Sequence, residues 1–340
     1  MKSVILQHFA PCSKETEQQR VQESEEYERK KTKKVHFWDC RDAQEYRQLE
    51  KEGKGVFDMP VYDPDAQVID IQSTPRPDDP VHDIPVRILR PKGAPRGILM
   101  FIHGGGFVIG SSSLHDNVLR LLAEQTDLIV ASVEYRLAPE YKLPAGSYDC
   151  VDAAMYLLSP DCEKTLGSTL SFICGESAGG YLTVQTALML RDAGIDVRKR
   201  LAGIMPVYPI VDLSFLPSVR AGTASGQGVP MPTDDADRNF IALSLPREVW
   251  TSKDKIKNPI YSPLYANLGD MPPAMITVGA IDSLLDDSIL LAARWELAGN
   301  QAELKIYPGS PHGYLVVDLD VTKEAIADLV DFMKGRLNSS

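Results

Sequence analysis

The chain has 340 residues, of which 44% are hydrophobic and 24% charged. This composition is typical of a globular protein and unlike that of disordered, collagen-like or disulfide-scaffold chains. The length permits one large α/β domain, or one domain with an added subdomain. The formal net charge of −11 at pH 7 would repel a polyanion, so we expect no nucleic-acid partner.

Cysteine usage and hydropathy limit the cellular setting. The chain has five cysteines, an odd number without CxxC spacing, which predicts neither a disulfide framework nor a zinc site. The apolar stretch at the N-terminus is too short for a signal-peptide core, and no run approaches the roughly 18 apolar residues that span a bilayer. We therefore expect a soluble, cytoplasmic protein without membrane insertion. A monomer and a homodimer are both compatible with the sequence.

The first 54 residues differ from the rest of the chain. They hold 12 basic and 11 acidic residues, so their net charge is about +1 and the remainder carries about −12. Charge pairs such as Glu26 and Lys30, spaced i,i+4, predict a charged and mostly exposed helix. The aromatic pair Phe37-Trp38 gives this segment apolar side chains with which it can pack against the rest of the protein. The alternative interpretation is that the segment covers a pocket formed farther along the chain.

From about Val86 onward, apolar runs alternate with helix-like segments. Strands alternating with helices predict a mostly parallel sheet that helices cover on both faces. The predicted strands are 86–89, 97–102, 128–133, 170–174, 201–208, 274–278 and 302–307. The predicted helices are 116–124, 145–158, 178–192, 283–298 and 321–334.

The segment GESAGG at 175–180 is the strongest motif in the sequence. A GxSxG pattern alone is weak, but here a strand-like run precedes it and a helix-like run follows it. This strand–turn–helix context is that of a nucleophile elbow, which places Ser177 at a helix N-terminus where backbone N–H groups favour developing negative charge. The alternatives are a glycine-rich turn in which the serine is a bystander, or one that binds a phosphate.

The segment HGGGF at 103–107 directly follows a predicted strand. Three successive glycines let backbone N–H groups approach a ligand, which is typical of an oxyanion loop. Neither the phosphate-loop pattern GxxxxGK[ST] nor a Rossmann GxGxxG fits this segment. We interpret His103 as a residue that shapes the loop.

A serine nucleophile requires a base and an acid. Of the six histidines, only His312 follows Ser177 in the chain, and it lies in a loop after the predicted strand 302–307. Asp282 lies just past the end of the strand 274–278, where catalytic groups of open α/β sheets collect. It would accept a hydrogen bond from the histidine and stabilise the imidazolium. Asp286, one turn farther on, is the alternative acid.

With these motifs, the chain resembles the hormone-sensitive-lipase-like branch of the α/β-hydrolase fold. The resemblance extends over residues 85–335. It rests on HGGGF at 103–107, YRLAPE at 135–140 with LPAG at 143–146, GESAGG at 175–180, GAID at 279–282 and PHG at 311–313.

The resemblance implies an α/β-hydrolase fold with Ser177 as nucleophile, His312 as base and then acid, and Asp282 as its orienter. It implies that the backbone N–H groups of Gly105, Gly106 and Ala178 bind the oxyanion, with Gly104 shaping the loop or contributing. It implies neither a metal nor an organic cofactor.

Two further residues in these motifs have less obvious roles. Glu176 stands where the family more often has an aspartate. The resemblance therefore does not specify which hydrogen bonds this longer side chain makes around the elbow. In the segment 135–140, which carries Arg136 and Glu140, we expect a structural role.

The implied activity is hydrolysis of short-chain or aryl carboxylic esters of small molecules, including metabolite acetates, through an acyl-serine. An acyltransferase or an amidase could use the same triad. A non-catalytic ligand receptor is a third possibility, although such proteins usually lack a triad residue. A lipase acting at a lipid surface is not indicated, because the sequence has no strongly apolar amphipathic lid.

Members of this family commonly build a cap from the N-terminus and an insert. We therefore predict a helical cap, made of the charged segment 1–54 and an insert at about 212–265, on a catalytic domain of residues 55–340. Within the insert, residues 221–237 are rich in Gly, Pro, Ser and Asp. An insert as long as 212–265 inside an α/β core is more often a lid or cap than a neutral loop.

Overall fold

The computed structural model of the protein describes residues 8–57, 59–225 and 239–338. Within these ranges, one eight-stranded sheet forms the centre of the fold. Its strands are β1 Gln67–Gln72, β2 Asp83–Leu89, β3 Ile98–Ile102, β4 Ile129–Val133, β5 Leu170–Glu176, β6 Gly203–Val207, β7 Ala274–Gly279 and β8 Ala302–Tyr307.

The sheet is mixed and mostly parallel. Its spatial order is β1-β2-β4-β3-β5-β6-β7-β8, with β2 antiparallel to both β1 and β4 and every later pair parallel. Strands β3 and β4 are buried along their whole length, and all their residues except Ser132 are apolar, as expected where helices cover both faces of a parallel sheet. The carboxyl ends of β5, β7 and β8 therefore meet along one edge of the sheet.

Helices surround the sheet. Helices α3 and α12 contact each other, as do α4 and α6, which gives two helical groups against the strands. The helices are α1 Lys14–Lys31, α2 Ala43–Lys51, α3 Asp116–Thr126, α4 Ala145–Leu157, α5 Pro160–Leu166, α6 Ala178–Asp192, α7 Val197–Arg200, α8 Pro217–Ser225, α9 Phe240–Ser244, α10 Arg247–Trp250, α11 Leu285–Leu297 and α12 Asp320–Leu337.

The predicted α/β architecture is confirmed, and each predicted strand and helix corresponds to an observed one. Strand β1 was not predicted, because its sequence QVIDIQ is half polar and it lies at the edge of the sheet, where most of its side chains stay exposed. Helix α5 was also missed. It follows α4 after a break at Ser159, whose side chain accepts a hydrogen bond from the Cys162 N–H as an N-cap.

The N-terminal segment packs along the carboxyl end of the sheet. Helix α1 is charged and mostly exposed, as predicted, with only Arg20 and Ser24 buried. Arg20 pairs with Glu324 of α12 at 2.5 Å, and the Ser24 hydroxyl donates to the Gly309 carbonyl at 3.2 Å. Ahead of the helix, the Ala10 N–H donates to the carbonyl of Ile306 in β8 at 2.9 Å.

The insert is only partly described. Helices α8 and α9 lie on either side of residues 226–238, so most of the Gly- and Pro-rich segment 221–237, within the insert that we predict to be a lid or cap, lies outside the described residues. Among the helices that are described, none is both long and apolar enough to cross a membrane.

Candidate active site

Ser177 lies at a sharp turn between β5 and α6. Its backbone has φ 57° and ψ −117°, a strained conformation that non-glycine residues adopt when surrounding contacts hold it. The turn is tight because α6 passes directly against β3. A Cβ on Gly179 would overlap the carbonyl oxygen of Ile102, so a side chain at this position would push the helix away from the strand.

Replacing Gly179 by alanine is therefore expected to destabilise the protein by about 3 kcal/mol, the upper end of the usual cost of overpacking, because the obstacle is backbone. Urea titration measures this loss. Gly335→Ala is the matched control, since a Cβ there meets no atom of the described ranges within 4 Å and helix propensity favours alanine by up to about 1 kcal/mol. Equal stability of the two variants would contradict the tight turn.

The structure brings Ser177, His312 and Asp282 into one hydrogen-bonded chain. The distance from His312 Nε2 to Ser177 Oγ is 3.0 Å, and that from His312 Nδ1 to Asp282 Oδ2 is 2.9 Å. The other carboxylate oxygen of Asp282 accepts the Leu284 N–H at 2.8 Å. The alternative acid, Asp286, instead accepts the N–H of Ser218.

The surroundings of His312 set its proton affinity. Burial alone would lower the pKa of the imidazole, but the charge of Asp282 and the hydrogen bond to it outweigh burial, and the pKa is raised above 6.5. The ring also meets the Tyr208 ring edge to face, with centroids 4.8 Å apart. The imidazole is thus oriented from both nitrogens and packed on one side.

Residues 104–110, called the oxyanion loop after the role that we predict for them, lie beside the serine. Gly105 and Gly106 have φ of 103° and 59°, which favour glycine, and both line the cavity at Ser177. The Gly104 N–H points elsewhere and donates to the Glu176 carboxylate. Ala178 is the buried first residue of α6. Gly104 therefore has the loop-shaping position, while the other three residues surround the serine.

His103 supports the start of this loop. Its Nδ1 lies 2.8 Å from the Gly104 carbonyl oxygen, and its ring stacks on Tyr135 with centroids 4.3 Å apart. The Tyr135 hydroxyl donates to the His103 carbonyl at 2.9 Å. These contacts agree with the interpretation of His103 as a loop-shaping residue.

Glu176 occupies the space that Gly104 leaves free. A Cβ on Gly104 would overlap the glutamate carboxylate. Burial raises the pKa of Glu176 to about 7, although the charge of His312 and the hydrogen bond from Gly104 act in the opposite direction. His115 Nε2 lies 3.7 Å from the same carboxylate, and burial lowers the pKa of this histidine to about 3. Glu176 thus connects the elbow to the oxyanion loop.

A cavity of about 660 Å³ opens at Ser177, a size typical of small-molecule sites. Helix α1 contributes to its wall through residues that include Glu28 and Lys31, which form an ion pair at 2.9 Å. Residues of the N-terminal segment thus line this cavity, while most of the charged helix α1 is exposed. Six of the described lining side chains are aromatic rings of Phe, Trp or Tyr, namely Phe37, Trp38, Tyr46, Phe57, Phe107 and Phe240.

Sequence reasoning missed the contacts of segment 135–140. Arg136 pairs with Asp79 and Asp149, whereas Glu140 forms a bidentate pair with Arg47 of α2. No local pattern links residues so far apart in the chain. In the ranges that the structure describes, no group of three or more His, Cys, Asp or Glu side chains is placed to hold a metal ion.

Comparison with known families agrees with this geometry. The alpha/beta hydrolase fold family matches residues 99–316, more than half of the chain. The chain therefore belongs to this family, and in family and fold it is a carboxylesterase-type α/β hydrolase.

Solved structures extend the similarity to nearly the whole chain. The hyperthermophilic esterase of the archaeon Pyrobaculum calidifontis is 27% identical, with 96% of this chain and 99% of that chain covered and a TM-score of 0.70. The HSL homologue EstE7 from a metagenome library is 27% identical, with 92% and 98% covered and a TM-score of 0.71. An arylesterase is 25% identical, with 94% and 98% covered and a TM-score of 0.74. The predicted family resemblance is confirmed.

Proposed function

We propose that this protein is a serine esterase that hydrolyses short-chain or aryl carboxylic esters of small molecules, metabolite acetates included, through an acyl-serine intermediate. The observation that carries the proposal is the hydrogen-bonded chain from Ser177 Oγ through the His312 imidazole to the buried Asp282 carboxylate. The similarity to structures described as a carboxylesterase and an arylesterase supports the ester substrate.

The first half of the reaction forms the acyl-enzyme. Ser177 Oγ bonds to the ester carbonyl carbon while its proton passes to His312 Nε2, and the carbonyl oxygen becomes an oxyanion. The backbone N–H groups of Gly105, Gly106 and Ala178 would stabilise that oxyanion. His312 then gives the proton to the leaving alkoxide oxygen as the carbon–oxygen bond breaks.

The second half returns the enzyme to its starting state. A water molecule gives one proton to His312 and attacks the acyl carbon, and the collapsing intermediate releases the acid as Ser177 Oγ regains its proton. Asp282 accepts the hydrogen bond from His312 Nδ1 in both halves and favours the imidazolium. If another alcohol replaced water in this step, the same residues would transfer the acyl group.

Aromatic side chains and the limited volume of the cavity favour short acyl or aryl groups. We expect kcat/KM for p-nitrophenyl esters to be highest between C4 and C6 and to fall by at least about tenfold at C12, since a long flexible chain loses more rotational freedom when the pocket orders it. A panel from C2 to C12, with product analysis and metabolite acetates alongside, tests this expectation. Transfer to an added alcohol that exceeds hydrolysis would favour an acyltransferase, and the absence of any turnover or of Ser177 labelling by an organophosphate would contradict the proposal.

The five cysteines, all within the described ranges, are free thiols. We infer from this that the enzyme acts in a reducing compartment such as the cytoplasm.

A further inference from the structure

Helix α2 lies directly against the oxyanion loop, although it is far from that loop in the chain. A small hydrophobic cluster joins them, separate from the main core. It combines side chains from α2, from the loop, from segment 135–140 and from α9. Its buried members are Ala43, Tyr46, Val108, Ile109, Ala138 and Phe240.

Arg47 is the polar centre of this contact. Its Nε donates to the Val108 carbonyl at 2.8 Å, and its Nη2 donates to the Ala138 carbonyl at 2.5 Å. The guanidinium also makes a bidentate pair with Glu140, with both distances 3.0 Å. One side chain of α2 therefore binds the oxyanion loop and segment 135–140 at the same time. Only a planar guanidinium offers donors in this fork.

Two buried carboxylates hold the loop at its two ends. At the start, the Gly104 N–H donates to Glu176. At the far end, the Gly110 N–H donates to Glu50 of α2 at 3.1 Å, and the Glu50 side chain is itself buried. The loop between these points contains Gly105 and Gly106, whose backbones adopt φ values that glycine visits freely. Within the loop, the N–H groups of Val108 and Ile109 donate to the Gly105 carbonyl and close a turn, and the contacts from outside fix that turn relative to the serine.

The position of this backbone matters for the chemistry. Oxyanion donors act because they are already aimed at the site where charge develops, and a displacement of about 1 Å can cost about 10²-fold in rate. A contact that keeps the loop in place thus contributes to the transition state without touching the substrate.

We propose that Arg47 is a positioning residue for the oxyanion loop, so that the N-terminal segment takes part in transition-state stabilisation as well as in lining the pocket. This inference rests on the proposed esterase function. It adds a role for Glu140, which holds the guanidinium in the orientation that reaches Val108 and Ala138.

The test compares Arg47→Ala with the full-length wild type. With p-nitrophenyl butyrate, kcat is expected to fall about 10²-fold while KM changes less than about threefold. A trifluoromethyl ketone forms an adduct with the serine that carries an oxyanion. Its inhibition constant should rise by the same factor by which kcat/KM falls. Added guanidinium at a non-denaturing concentration should restore part of kcat. Amide hydrogens of residues 104–110 should exchange at least about tenfold faster.

Arg41→Ala is the matched control. Arg41 lies two positions before α2, and its side chain is 80% exposed and, within the described ranges, pairs only with the neighbouring Asp42. Its replacement should therefore leave kcat and loop exchange unchanged within about twofold. If Arg47→Ala does not fold, Arg47→Lys and Glu140→Gln decide the matter. The lysine keeps the charge but lacks the fork, so kcat should still fall at least about tenfold, and Glu140→Gln should lower it about fivefold.

The proposal is wrong if the Arg47 variants change KM alone. It is also wrong if kcat falls without any change in trifluoromethyl ketone affinity or loop exchange, or if Arg47→Lys retains full kcat. Wild-type protein without ester hydrolysis would instead contradict the proposed function, and the exchange measurement would then still report whether Arg47 holds the loop.

Discussion

Ser177→Ala is expected to lower kcat for p-nitrophenyl butyrate about 10⁶-fold, the loss that accompanies removal of the nucleophile in a serine hydrolase triad. Without Oγ no acyl-enzyme can form, while the oxyanion donors and the pocket remain and leave a small residual rate. The variant should unfold at the wild-type urea concentration, because alanine replaces serine with little change in volume. Stopped assays at high enzyme concentration measure the residual rate.

Labelling by an organophosphate distinguishes this loss from general damage. The wild type should gain one phosphoryl group on Ser177, with loss of the leaving group of the probe, as measured by mass spectrometry, and Ser177→Ala should gain none. Ser168→Ala is the control and should retain both activity and labelling, since Ser168 precedes the amino end of β5 whereas Ser177 follows its carboxyl end. Near-native turnover by Ser177→Ala would reject this residue as the nucleophile.

Asp282→Asn is expected to lower kcat about 10⁴-fold, because an amide beside Nδ1 favours the imidazole tautomer that carries its proton on Nε2 and cannot accept one from Ser177. The pH profile should change as well. In the wild type, activity falls as the pH drops through a His312 pKa that is raised above 6.5, since only the neutral imidazole acts as a base. Loss of the carboxylate charge leaves burial as the main influence and moves that acid limb to lower pH.

Profiles of kcat/KM between pH 5 and 9 measure this shift. Asp286→Asn is the control, because the Asp286 carboxylate accepts the Ser218 N–H and does not contact the histidine. It should retain kcat within about threefold and keep the acid limb of the wild type. A wild-type profile that is flat between pH 5 and 8, or an identical limb in Asp282→Asn, would argue against His312 as the base that Asp282 orients.

Each part of the site that was predictable is marked by a pattern in its own few neighbouring residues. The GESAGG turn is recognisable because only small residues fit where α6 crosses β3, as the overlap of a Gly179 Cβ with the Ile102 carbonyl illustrates. His312 was identified because histidine is scarce after the serine, and Asp282 because it ends a buried strand. Periodicity predicted the parallel strands for the same reason, since their buried apolar runs are continuous.

Contacts between distant segments were not predictable where no motif marks the two partners. Arg47 and Glu140 are separated by 93 positions, and nothing near either residue specifies the other. Strand β1 pairs with β2 through backbone groups, so its side chains needed no apolar pattern. The contact of Glu176 with Gly104 depends on the length of one carboxylate side chain inside a closed turn, which a motif does not encode.

The two outer strands of the sheet, β1 and β8, differ in whether another segment of the chain pairs with their outer edge. The edge of β1 carries no described pairing partner beyond β2, and its Val68 side chain is exposed. On the opposite side, the chain just before α1 forms a parallel bridge from Phe9 to Ile306. Unpaired strand edges attract further strands, so a foreign strand could add along the whole of β8 only by first displacing residues 9 and 10.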